Sequence, residues 1–254
     1  MSIQQHTVQS AADLGLLQAP SGEKLQRIHS FVRREGRITR AQQRALTEYQ
    51  QQFIVEPALA LFDPRAWFGR NAPLVLEVGF GDGEALLSMA SAHPEWDFLG
   101  IEVHRPGIGH LLLRAHSLAI NNVRVICDDA VQVLEHWVPA SALQRIQVFF
   151  PDPWPKTRHH KRRLIQAERV ALWSRKIKPL GALHCATDCA DYAQAMLAIL
   201  NATPTLENCA VDGGFVPRPA WRALTKFEQR AQRLGHGIRD LLFIRRDCKL
   251  PQSI

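Results

Sequence analysis

Between residues 74 and 186 the chain repeats one unit: a short apolar run, then a stretch rich in helix formers. The runs are residues 74–80 (LVLEVGF), 98–103 (FLGIEV), 123–127 (VRVIC), 146–150 (IQVFF) and 182–186 (ALHCA). Short runs dominated by Val, Ile, Leu and Phe are the pattern of strands buried on both faces. Helices are expected at 84–92, stopped by Pro94, and at 106–119, with Pro106 near the first turn. Further helices are expected at 130–135, 164–176 and 190–200, and late strand signals lie near 206–211 and 241–246. Strands alternating with helices build a parallel sheet covered on both sides. The expected fold class is therefore α/β, a doubly wound Rossmann-like sheet with helices on both faces.

The 254 residues suffice for one such domain. Residues 1–22 are polar, close on Pro20-Ser21-Gly22 and read as a poorly ordered tail. Residues 23–55 read as a basic N-terminal extension with helical segments, TRAQQRALTEYQQQ being rich in helix formers, and 56–254 as the α/β domain. No apolar run approaches the ~18 residues of a membrane span; the longest candidate, 111–120, is interrupted by Arg114 and His116. The N-terminus lacks the basic and apolar regions of a secretory signal, so a cytoplasmic protein with no membrane partner is expected. Five cysteines with no CxxC pair read as reduced, mostly buried thiols, and no metal site is expected.

Net charge is +7, and its distribution says more than its total. Residues 24–44 carry seven Lys/Arg against one acid, 156–163 five against none, and 218–246 eight against two. An ordinary solvated surface mixes its signs. Segregation of this kind is the footprint of a polyanionic partner, with nucleic acid as the leading candidate.

In doubly wound sheets ligands bind at the carboxyl ends of the strands. The first strand ends in Glu77-Val78-Gly79-Phe80-Gly81-Asp82-Gly83. Alternate glycines let the backbone turn tightly and approach a ligand without Cβ clashes. The dinucleotide fingerprint G-x-G-x-x-G would set its third glycine where this chain has Glu84. A carboxylate there disfavours a pyrophosphate and suits a cofactor that is not a polyanion. S-adenosylmethionine, with a sulfonium, an ammonium and one carboxylate, meets that condition. Around the Gly79 and Gly81 turn, Glu77 is placed to receive the ammonium and Glu102, after the second strand, to accept the ribose hydroxyls. Asp129, after the third, is placed to read the adenine edge. Helix capping alone would explain Asp128 or Asp129, but not all three acids.

The fourth strand leads into Asp152, held between Pro151 and Pro153, which fix φ and remove two backbone donors. Trp154 offers a stacking face for a base, and the cations that follow are suited to phosphates.

The stretch FFPDPWPKTRHHKRRL, with LEVGFGDGE, GIEVH, ATD and TKFEQRAQRLGHGIRDL, resembles the bacterial tRNA (guanine-N7)-methyltransferases. The resemblance runs from about Ile28, in FVRREGRITRAQ, to the C-terminus. It implies a class I methyltransferase fold, S-adenosylmethionine as cofactor, tRNA as partner and 7-methylguanosine in the variable loop as product. It places cofactor contacts on Glu77, Glu102, Asp129 and Asp152. Substrate contacts fall on Lys156, Asp188, Thr225, Lys226, Phe227 and Glu228. The RNA-facing loop falls on Arg158, His159, His160, Lys161, Arg162 and Arg163. Pro155 occupies a variable position of the motif, and residues 1–22 show no familial pattern.

Guanine N7 presents an in-plane lone pair, so no strong general base is required. Asp152 is the expected catalytic residue, orienting guanine through its N1–H and N2–H and stabilising the charge that develops on the purine. Asp188 and Glu228 are candidates to share that work, and Lys156 reads as a phosphate or substrate anchor. His159 and His160 read as neutral imidazoles facing RNA. Thr225, followed three residues later by Glu228, also reads as a capping box. Two other readings stay open: a methyltransferase acting on an exocyclic amine, for which an Asp-Pro-Pro-aromatic turn is a loose cousin of PDPW, and a catalytically idle RNA-binding module. A NAD dehydrogenase is set aside by Glu84. Monomer and homodimer both remain open.

Overall fold

The computed structural model describes residues 36–56 and 62–247. The expected tail at 1–22 and the start of the basic extension, residues 23–35, lie outside the described residues. Helices α1 (Arg40–Glu48) and α2 (Gln50–Phe53) open the described chain, followed by α3 (Pro64–Phe68). The alternating core then runs β1 (Leu74–Val78), α4 (Glu84–Ala92), β2 (Asp97–Ile101), α5 (Arg105–Ser117), β3 (Val123–Ile126) and α6 (Ala130–Gln132). It continues with β4 (Leu143–Phe149), α7 (Ala167–Lys176), β5 (Ile177–Thr187), α8 (Ala190–Asn201), β6 (Leu206–Asn208), α9 (Lys226–Arg233) and β7 (Arg239–Arg245).

The strands form one sheet in the order β3-β2-β1-β4-β5-β7-β6. The first five are parallel, but β7 runs antiparallel to β5, and β6 to β7. The expectation of a wholly parallel sheet is thus corrected at one edge. The physical reason is where the chain re-enters: β7 begins with Arg239 opposite Thr187, the last residue of β5, so it can only run back. Strand order reverses direction between β1 and β4, which opens a crevice at their carboxyl ends.

Alternate residues of each strand feed two cores. Leu74, Leu76 and Val78 join Ile146, Val148, Trp173 and Tyr192 in one cluster. On the other face Val75 packs with Phe53, Leu86, Phe98 and Leu111. Phe53 is fully buried there, and the Val55 N–H donates to Val125 O, so residues 36–55 pack onto the sheet domain.

Several expectations shift locally. The helix expected at 130–135 is one α turn that widens into a π turn at Val133–Trp137. The helix expected from 164 begins at Ala167, because the backbone at Gln166 is still extended; Thr157–Arg162 forms a separate 3-10 helix before it. Helix α3 went unread although its signals are plain: Asp63 caps it by accepting from Arg65 N–H, Pro64 occupies the first turn, and Gly69 ends it at φ 69°. Of the thiols, Cys185 is buried and Cys189 half-buried, whereas Cys127 and Cys209 are exposed, against the expectation of mostly buried cysteines. Cys248 lies outside the described residues. Among the described residues, no helix is long and apolar enough to cross a membrane.

Candidate active site

Three chain segments meet at the crevice between β1 and β4. The first is the glycine turn. Gly79, Gly81 and Gly83 adopt φ of 72°, 63° and 79°, a region closed to most side chains. A Cβ on Gly83 would stand 2.4 Å from Leu111 Cδ1, whereas one on Gly79 would meet nothing within 4 Å. The turn is therefore wedged against α5 at one end and open at the other. Glu84, which opens α4, accepts from Arg114 Nε at 3.1 Å and lies 2.7 Å from His110 Nε2. Partial burial raises its carboxyl, but those two contacts outweigh burial and hold it below the usual range. The residue that replaces the third glycine thus ties α4 to α5.

The acids around this turn are bound differently from one another. Glu102 Oε2 accepts from Gly81 N–H at 2.9 Å, and Oε1 accepts from the N–H groups of Val103 and His104. A carboxylate offers about four acceptor sites, so this one shapes the glycine turn and keeps capacity for a further donor. Asp129 caps α6, accepting from Val131 N–H at 2.9 Å, as the capping reading anticipated. Glu77 is only 3% exposed. Its carboxyl is pushed up to about 8, first by burial, then by the charge of Glu102, with Arg145 opposing. Its Oε2 is buried and, among the described residues, accepts no hydrogen bond. Burial pushes Arg145 down to about 10, and its guanidinium lies 3.6 Å over the Trp221 ring.

The second segment follows β4. Phe150 and Trp154 hold φ of 51° and 46°, unusual for bulky side chains and worth roughly 1–3 kcal/mol of strain each. Between them Asp152 stands exposed. The 3-10 helix folds back so that Arg162 lies 3.9 Å over the Trp154 ring, with His159 edge-on. One face of the ring expected to receive a base is therefore covered by Arg162. Lys156, Arg158 and Lys161 are exposed. His159 is pushed below its usual value by desolvation and by the cations of Arg158, Arg162, Lys156 and Lys161.

Arg163 corrects the expectation of an unbroken RNA-facing run. It is 4% exposed, donates from Nε to Pro153 O at 2.9 Å, pairs with Asp191 and lies over the Tyr192 ring. Its hydrogen bond holds the Asp191 carboxyl below the usual range. This arginine bolts the PDP turn to α8. His160 Nε2 lies 3.9 Å from the same carboxylate.

The third segment is the start of α9. Thr225 Oγ1 accepts from Glu228 N–H at 3.1 Å, the capping bond expected of this pair. The Glu228 carboxylate, however, is buried and bound by Arg222 Nη1 at 2.5 Å, so it faces inward. Lys226 opens the helix. Phe227 is 63% exposed; its ring stacks 6.3 Å from that of Phe150, and its Cε2 would lie 4.0 Å from a Cβ on Gly81. Asp188 follows β5, with His236 Nδ1 at 3.8 Å from its carboxylate. The fold thus brings the glycine turn, the Asp152 turn and the α9 turn together through Gly81, Phe150 and Phe227.

Sequence reasoning missed the buried polar row behind these turns: Arg145, Gln147, His184, Arg222 and Asp240. Its signal was a histidine and an aspartate inside otherwise apolar strands.

Comparison with known proteins adds independent findings. A family model described as a putative methyltransferase matches residues 71–241. The tRNA (guanine-N(7)-)-methyltransferase of Methylococcus capsulatus is 54% identical over 219 residues, 86% of this chain and 94% of that protein. The one from Edwardsiella ictaluri is 51% identical over 225 residues, 89% of this chain and 94% of that protein. Among solved structures, the 16S rRNA methyltransferase KamB superposes with TM-score 0.54 at 13% identity, covering 74% of this chain and 95% of its own. The 16S rRNA (adenine(1408)-N(1))-methyltransferase of Catenulisporales acidiphilia, solved with SAM, gives 0.50 at 18% identity, covering 76% and 95%. At such identities these two structures speak to the fold alone.

Proposed function

The chain belongs to the tRNA (guanine-N7)-methyltransferase family, and from that premise we propose that it methylates N7 of guanine in the variable loop of tRNA, using S-adenosylmethionine. The observation that carries this reading is the meeting of Phe227 with Phe150 and Gly81, which gathers the cofactor-side turn, the Asp152 turn and the α9 turn at one crevice. The residues present suit the cofactor. Glu77 Oε2 is buried and, among the described residues, has no donor, which matches it to an ammonium. The space above Gly79 is open, and Glu102 retains acceptor capacity for a ribose hydroxyl.

When bound, S-adenosylmethionine supplies an electrophilic methyl carbon on a sulfonium. The remaining task of the chain is placement. Guanine N7 needs no deprotonation, so rate comes from holding N7 in line with that carbon, an orientation effect worth several kcal/mol. Asp152 accepts from guanine N1–H and N2–H, and its charge favours the purine cation that forms. Lys156, Asp188 and residues 225–227 complete the substrate side, with Lys156 as a cationic anchor for a phosphate or other substrate group. Asp129 reads the adenine edge with whatever capacity capping leaves it. The decisive experiment incubates the protein with unmodified tRNA and labelled S-adenosylmethionine, then applies cleavage chemistry specific for N7-methylguanine. Label recovered on an exocyclic amine, or no label, would refute the assignment.

Two effects follow at the periphery. Glu102→Ala removes both the brace on Gly81 and the ribose acceptor. It should raise KM for S-adenosylmethionine by about 10–100-fold with tRNA affinity unchanged; a defect confined to tRNA binding would place the residue on the other ligand. On the RNA loop, Arg158 and Lys161 are the exposed cations to test, Arg163 being internal. Changing both to Ala should flatten the slope of log K against log salt by roughly one to two units. Weaker binding with an unchanged slope would show that they do not touch phosphate.

A further inference from the structure

Residues between β6 and α9 carry the α9 turn over the crevice, yet form little regular structure, a single bridge joining Val216 to Asp240. Phe215 and Ala223 pack against the two cores, and the rest of what holds this segment is polar. On the sheet beneath it Glu77, Gln147 and His184 stand in one cross-strand row, each buried. On β7 Leu242 stands opposite His184, and Asp240, two residues before it and opposite Ala186, is the diagonal neighbour whose Oδ1 lies 2.8 Å from His184 Nε2. From above, Trp221 meets His184 edge-on at 4.8 Å and covers Arg145. Next to it Arg222, fully buried, reaches two carboxylates from different elements. Its Nη2 donates to Asp240 Oδ2 at 2.9 Å and its Nη1 to Glu228 Oε2 at 2.5 Å, while Nε lies 2.7 Å from Asp240 Oδ1. Arg218 closes the arrangement, donating to Arg222 O and lying 3.9 Å from Glu228 Oε1.

We propose that Arg222 is a positioning residue, which clamps Glu228 at the start of α9 to Asp240 on the sheet and so sets Phe227 against Phe150 beside Asp152. Its activity readout rests on the methyltransferase assignment above. A planar fork suits this work because it binds two carboxylates in fixed directions, which a lysine ammonium cannot reproduce. Glu228 on this view is the anchor of the α9 turn. Arg222 itself bonds to Asp240 and Glu228, and the clamp meets the glycine turn only through the Phe227 ring near Gly81, so substrate placement should suffer far more than cofactor binding.

The test uses the full chain with Arg222→Lys and Arg222→Met. Amide hydrogen exchange of residues 224–231 should speed up by about tenfold or more, with β1 to β3 keeping their protection. Affinity for S-adenosylmethionine, measured directly, should stay within about threefold of the unmodified protein. Methyl transfer to tRNA should fall by about 100-fold, as for a reacting group displaced by an ångström. Arg222→Lys should restore thermal stability before it restores turnover. Unchanged exchange at 224–231 would overturn the clamp whatever the enzyme's substrate proves to be. Loss of protection in β1 to β3, or parallel loss of cofactor affinity, would overturn it in favour of a general scaffold role. If the unmodified chain methylates no guanine N7 but the exchange pattern holds, the functional assignment fails and the clamp stands.

Discussion

Asp152→Ala is expected to lose methyl transfer by about two to three orders of magnitude, the scale seen when one group aimed at transition-state charge is removed. The fold should survive, because Asp152 is exposed. The turn that carries it is fixed by other contacts: Phe150 N–H donates to Ala186 O, and Arg163 holds Pro153 O. The side chain can therefore be removed without moving the backbone. Asp152→Asn keeps one acceptor for a guanine donor but loses the charge, so it should fall between alanine and the unmodified protein. Rates under single-turnover conditions with saturating cofactor separate this from a binding defect. Turnover near normal in Asp152→Ala would remove the residue from the reaction altogether.

Much of the layout was legible because local signals and tertiary demands agree. Helix α4 spans the residues read from sequence, since Gly83 opens it and Pro94 follows its end. The first five strands overlap the apolar-rich runs read from sequence, although β4 and β5 begin earlier, at Leu143 and Ile177, and the end of β4 leads into Asp152 at the crevice. What sequence could not show was which charges are satisfied internally. Arg163 stands among four other cations in a row of eight residues, but its partner Asp191 lies 28 positions on, brought near only by packing of α8. The eight cations of 218–246 likewise include Arg222, buried with Glu228 and Asp240, and Arg245, which donates to Ser141 Oγ and Ile177 O. A charge count overstates the surface offered to RNA wherever such pairs form at long range. The same limit hid Arg162 over Trp154, because a short apolar turn does not announce which side chain will cover it.

Glu77 should show the largest linkage between protonation, stability and cofactor. Its carboxyl sits at about 8 in the folded chain against 4.5 ordinarily, raised chiefly by burial. A raised carboxyl keeps its proton when folded and loses it when unfolded. Its penalty on folding is therefore absent below about 4.5, grows as pH rises towards 8, and is constant above. At roughly 1.4 kcal/mol per unit, a shift of this kind is on the order of several kcal/mol. Glu77→Gln removes the ionisation, so denaturant midpoints should rise relative to the unmodified chain and the difference should widen between those two pH values. Binding moves the other way. An ammonium beside Glu77 stabilises its carboxylate, so cofactor binding near neutral pH should expel a proton. Affinity should then rise with pH, by at most about tenfold per unit, until the carboxyl ionises unaided. Calorimetry in buffers of different ionisation enthalpy reads that proton directly. In Glu77→Gln the proton release should vanish and the pH slope flatten, with affinity lower throughout. A variant that gains stability yet still releases the proton would put the ammonium elsewhere. One that loses stability at pH 8 would mean that Glu77 is ionised against Arg145 in the folded chain, and the linkage would run in the opposite direction.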